Sequence, residues 1–271
     1  MRTVPCVWVL LLAAAPARAQ EEKPREAAPP YRFVHITDIH FEDSGRLDWG
    51  VRNAKGFGEF VAFMNETMKP DLVVLTGDLV QDITQERPFK DLPPTEHVSQ
   101  LRKFKEALAK LRAPCAVVGG NHDWTEFEEI FGHRNTRHDG PVAFVGLGLK
   151  HTNRPLGWGV FEDADWLKKQ LDGESIVFLH HPLDFPTFQN PGAVRKILED
   201  SGKVKLVLQG HLHGFRDNPQ KGIHYVTGPM FGTKGNGFLV GEIHKDRIEI
   251  VRWGREDGPW KPSGKPHVIA R

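Results

Sequence analysis

Pro114-Cys115-Ala116-Val117-Val118-Gly119-Gly120-Asn121-His122-Asp123 reads as a short β-forming apolar run that stops at a glycine pair and then delivers three polar side chains together. The glycines let the backbone turn tightly where those side chains would meet a ligand. The same grammar recurs along the chain. Arg32 to Thr37 runs into Asp38-Ile39-His40, Asp71 to Thr76 into Gly77-Asp78, Ser175 to Leu179 into His180-His181, and Val204 to Gln209 into Gly210-His211-Leu212-His213. Open α/β sheets bind ligands at the carboxyl ends of their strands, so five separate segments are aimed at one crevice.

Between these strands lie stretches of helical periodicity, at Phe57 to Met68, Val98 to Leu111, Trp124 to Phe131, Ala164 to Leu171 and Ala193 to Leu198, with a further strand at Val142 to Leu147. Such alternation marks βαβ units. His224 to Thr227, Phe238 to Ile243 and Arg247 to Trp253 then follow one another without a helix, which predicts a closing antiparallel meander. Residues 81–97 are polar and Pro-rich with structured flanks, so they are expected to be a surface excursion of a single α/β domain spanning 31–271.

Composition sets the outer bounds. The 271 residues carry 39% apolar and 26% charged side chains, which excludes fibrous, disordered and polytopic membrane classes. Thirty-six Lys plus Arg against 35 Asp plus Glu leave +1, too little for the footprint that long nucleic acids require. At the N-terminus, Arg2, the apolar run Val4 to Ala15 and the small residues Ala17 and Ala19 form a secretory signal peptide over 1–19, followed by a Pro-rich, flexible lead-in over 20–30. The mature chain is therefore expected to be secreted or periplasmic, with no membrane span. Cleavage leaves Cys115 as the single cysteine, so no intramolecular disulfide is available.

Taken alone, each motif has an ordinary reading: Asp-x-His as a solvated turn, Gly-Asp as a turn dipeptide, His180-His181 as core histidines. Together they form a set of imidazoles, carboxylates and an amide without a thiolate, which suits Mn, Fe, Zn or Co. There are too many ligands for one ion. Burying the surplus without partners costs on the order of 1–3 kcal/mol per neutral group, whereas two cations sharing a carboxylate satisfy them all.

The ordered signature Asp-x-His, Gly-Asp, Gly-Asn-His-Asp, His, Gly-His-x-His resembles the calcineurin-like metallophosphoesterase superfamily, from about Phe33 to His213. The Ile-Thr-Asp-Ile-His start and His180-His181-Pro182 are similar to the class III cyclic-nucleotide phosphodiesterases. The resemblance implies a four-layer α/β/β/α sandwich with mixed sheets. It also implies two divalent or mixed-valence ions: Asp38, His40 and His213 on the first, Asn121, His180 and His211 on the second, and Asp78 bridging. By the same resemblance a phosphomonoester or phosphodiester is cleaved by in-line attack of a metal-bridging hydroxide, with His122 as general acid. Asp123 is expected to orient the His122 ring, and His181 to support the ligands or face the substrate. Where purple acid phosphatases carry a tyrosine, this chain has Gln81, so no tyrosinate charge-transfer colour is expected.

The substrate is expected to be a small phosphoester. Residues 81–97, 132–138, 182–192 and 228–237 are candidates to rim the crevice, with Arg134 and Arg137 as phosphate grips and Phe41 and Trp49 as stacking surfaces or core packing. The rival readings are a dedicated cyclic-nucleotide phosphodiesterase, a nuclease and a non-catalytic metal-binding domain.

Overall fold

The computed structural model describes residues 29–82, 91, 93, 95–123, 126–132, 135–152, 158–232, 237–256 and 258–271. The expected signal peptide, most of the lead-in, most of the 81–97 excursion and Arg134 lie outside them. Among the described residues, no helix is long and apolar enough to cross a membrane.

The chain begins with β1 (Tyr31–Ile36), α1 (Asp48–Phe63), β2 (Leu72–Thr76), α2 (Thr95–Leu108), β3 (Cys115–Val118) and α3 (Glu126–Phe131). It continues through β4 (Thr136–Arg137), β5 (Ala143–Gly146), the paired β6 (Lys150–Thr152) and β7 (Trp158–Val160), α4 (Ala164–Gln170), β8 (Ser175–Phe178), α5 (Pro191–Ser201) and β9 (Val204–Gln209). It closes with β10 (Arg216–Gln220), β11 (Ile223–Thr227), β12 (Gly237–Ile243), β13 (Arg247–Gly254) and β14 (Lys261–Ala270).

Two six-stranded mixed sheets result, ordered β14-β13-β12-β1-β2-β3 and β10-β11-β9-β8-β5-β4. Three apolar layers explain why they stack. Phe33, Val74 and Val118 of the first sheet meet Phe178, Leu206 and Leu208 of the second in an inter-sheet core. Phe57, Phe60 and Phe104 cover the outer face of the first sheet, and Leu167, Val194 and Leu198 that of the second. Strands buried on both faces read as continuous apolar runs, and β2 (LVVLT) is buried at every residue. This is the expected four-layer sandwich.

The meander requires correction. β11 joins the second sheet, parallel to β9, and the antiparallel run is β12-β13-β14 added to β1. β10 (RDNPQ) escaped the pattern because it is a polar edge strand, and β14 (KPSGKPHVIA) because its prolines and lysines suppress alternation on another exposed edge. The first helix begins at Asp48 rather than Phe57 and ends in a π-helical turn, Met64–Met68, closed by Lys69 in the left-handed region. Its start lies in a Gly-rich stretch that weakens the helical pattern, and the buried Glu42 carboxylate accepts the Ser44 and Leu47 amides just before it.

Candidate metal centre

Each motif follows a strand, and β1, β2, β3, β8 and β9 present their carboxyl ends side by side. Asp38, His40, Asp78 and His213 place one donor atom each within 4.8 Å of one another, and so do Asp78, His180 and His211. Asp78 belongs to both groups. Asn121 completes the second, its Oδ1 lying 3.0 Å from His180 Nε2 and 2.9 Å from His211 Nδ1. All seven predicted ligands thus converge.

The backbone pays for this convergence. Among the described residues, the non-glycine positions with positive φ include Asp38 (51°), His40 (47°), Asp78 (48°), His211 (71°) and His213 (59°). Such conformations cost of order 1–3 kcal/mol each and cluster where function requires them. Gly120 is needed for close approach, because a Cβ there would strike the Asp78 backbone nitrogen and Oδ1.

The donor chemistry fits a pair of cations. His40 Nδ1 lies 2.8 Å from Gln81 Oε1 and His180 Nδ1 lies 2.7 Å from the Thr76 carbonyl, so both rings donate from Nδ1 and turn Nε2 to the centre. There His40 Nε2 stands 3.4 Å from His213 Nε2, and His180 Nε2 and His40 Nε2 stand 3.3 and 3.8 Å from Asp78 Oδ2. These spacings suit donors sharing an ion at about 2.0–2.2 Å. Asp38 receives the His211 amide on both oxygens and the Thr37 hydroxyl on Oδ2.

Electrostatics agree. Burial disfavours a charged His180, but the Asp78 and Asp38 carboxylates overcome it and push the imidazole up to about 9. Burial would also raise Asp78, yet His180 and His122 hold it well below the usual carboxylate range. The pocket demands positive charge between its carboxylates.

His122 sits on the same turn, its amide donating to Asp78 Oδ1 (2.9 Å) and its ring edge-on to His40 at 4.9 Å. Asp123 does not orient that ring, and here the expectation is corrected. Its Oδ1 accepts the Leu79 and Val80 amides (2.9 and 3.1 Å) and its Oδ2 the Gly120 amide (2.7 Å), while His122 Nδ1 has no hydrogen-bond partner. Asp123 instead ties the Asp78 loop to the Asn121 loop. His181 is fully buried and its ring lies 4.4 Å from that of His211. Phe41 packs on Phe104 in the core, Arg137 is ion-paired with Asp139, and half-buried Trp49 alone stays beside the centre, 5.9 Å from the His40 ring. Gln81 stands where a tyrosine would be expected in purple acid phosphatases, and its grip on His40 has no signature in residue type.

The calcineurin-like phosphoesterase family model matches residues 31–215. The chain belongs to that family. A probable glycerophosphodiester phosphodiesterase of Arcobacter nitrofigilis is 30% identical over 206 residues, covering 66% of this chain and 71% of the relative. A 3',5'-cyclic-nucleotide phosphodiesterase of Nostoc is 26% identical over 239 residues, covering 79% and 84%. Among solved structures, a dimetal phosphatase of Danio rerio matches the fold of this calcineurin-like phosphoesterase with a TM-score of 0.69 at 15% identity, over 90% of this chain and 99% of the other.

Proposed function

We propose that this calcineurin-like phosphoesterase hydrolyses small phosphodiesters and phosphomonoesters with two divalent or mixed-valence ions drawn from Mn, Fe and Zn. Asp38, His40 and His213 would hold one ion and Asn121, His180 and His211 the other. The observation that carries the reading is Asp78, whose carboxylate alone belongs to both donor groups. When bound, such a pair supplies an acidified water and neutralises charge that builds on the phosphoryl oxygens.

The rest falls to the chain. Gln81 and the Thr76 carbonyl fix the tautomers of His40 and His180, so both present a lone pair at Nε2. His122 is held beside Asp78 through its own amide, and with Nδ1 enclosed it would deliver a proton from Nε2 to the departing alkoxide. His213, with 48% of its side chain exposed, marks the open side by which substrate enters.

A cyclic-nucleotide phosphodiesterase is the second reading, favoured by Trp49, an aromatic surface placed beside His40 where a base could stack. Chelator-stripped protein reloaded with Mn²⁺, Fe²⁺ or Zn²⁺ should release p-nitrophenol from its mono- and bis-phosphate esters. Turnover of 3',5'-cyclic AMP well above both, lost in Trp49→Ala, would select the second reading. Silence towards every ester at full metal occupancy would refute both.

A further inference from the structure

A second cluster of metal-ligating side chains lies far from the centre. Tyr31 pairs with Ile243 and His35 with Leu239, so the β12–β13 hairpin sits at the end of β1 opposite Asp38. At ~3.3 Å per residue the two ends are on the order of 20 Å apart. On this hairpin Glu242, His244 and Glu249 bring one donor atom each within 4.8 Å of one another.

Three observations make this more than a chance gathering of surface charge. First, Glu242 and Glu249 are direct cross-strand partners, which brings two carboxylates to one place at the end of the hairpin. Second, each carboxylate is held from behind: Arg32 takes Oε1 of Glu242 (2.7 Å) and Arg247 takes Oε1 of Glu249 (2.7 Å), which leaves both Oε2 atoms turned to His244. Third, His244 Nε2 is enclosed without a hydrogen-bond partner, 3.8 Å from Glu242 Oε2 and 3.9 Å from Glu249 Oε2. Donors about 2.1 Å from a tetrahedral cation stand roughly 3.4 Å apart, so closure by a few tenths of an ångström would bring His244 to that spacing from each carboxylate. A cavity of about 350 Å³ bordered by Arg32, Glu242, Glu249, Phe63 and Trp253 opens beside both carboxylates.

We propose that Glu242, His244 and Glu249 form a third, structural cation site for a borderline divalent ion of the zinc class. One imidazole and two carboxylates suit such an ion, and the arginines behind the carboxylates fix the ligands as outer hydrogen bonds do in metal sites generally. The site would brace a turn that also anchors Arg271, which donates to the His244 carbonyl (2.5 Å) while gripping Glu174 (2.6 Å) beside β8.

The full chain, stripped by chelation, refilled with Zn²⁺ and freed of unbound ion, should carry one equivalent more than Glu249→Gln or His244→Ala treated identically. Its thermal midpoint should rise with Zn²⁺ by more than theirs, and turnover by all three should be the same. A zinc-edge anomalous peak beside His244 Nε2 in crystals of the unaltered chain gives a reading that needs no variant. Equal zinc content in the parent and a folded variant, or no anomalous peak on the hairpin, would overturn the site.

Discussion

His122 and Asn121 share one turn, yet the first leaves its ring Nδ1 without a hydrogen-bond partner and the second is locked between two imidazoles. Replacing His122 with Asn should therefore keep both ions, counted by elemental analysis, and lower kcat by roughly 10²–10⁴, the usual worth of a general acid. A proportional loss of metal would make His122 a ligand. Gly120→Ala should do the reverse: the added methyl would press on Asp78, so metal content and activity should fall together. A fully loaded, active Gly120→Ala would show that the Asp78 loop can shift at little cost. The ligand types were readable from residue chemistry, because Asp, Asn and His gathered at five strand ends have few other uses in that number. Asp123 was misread for an equally physical cause. Adjacency to His122 suggested a dyad, whereas the turn points the two side chains apart, and a backbone reversal of that kind has no signature in residue type.

At the level of elements, the five strands that lead into the motifs were legible because burial on both faces makes them largely apolar, as in β2 (LVVLT). β10 and β14 were not, since exposed edges carry prolines and charges that serve to discourage further pairing. Asp123 is what joins two of the legible strands' loops. In Asp123→Asn the amide nitrogen would face the Leu79 and Val80 donors or the Gly120 donor, stranding at least one buried N–H at a cost of about 1–3 kcal/mol. Thermal midpoint and metal affinity should both drop. Reduced kcat at unchanged stability and occupancy would restore the dyad.

For the molecule as a whole, stability should weaken in acid through a residue outside the ligand set. His35 on β1 is fully enclosed between the sheets, where burial drives its imidazole down to about 3 against the pull of Asp38. The unfolded chain therefore binds a proton below about pH 6.5 that the folded chain refuses, and stability falls by about 1.4 kcal/mol per pH unit from there towards 3. Denaturant unfolding across pH 4 to 6.5 should show His35→Gln with the shallower slope; parallel curves would mean that His35 accepts its proton in place. The four-layer stack followed from strand–helix alternation and the family likeness, but the capture of β11 by the second sheet depended on long-range pairing that no local pattern encodes. One feature of the centre reaches beyond catalysis. Because His213 is bent into a left-handed backbone and half exposed, glycine there would relieve local strain while abolishing a proposed ligand. A descendant released from selection for turnover would thus drift towards a sturdier, inert scaffold, losing its ions first where heat tolerance is gained.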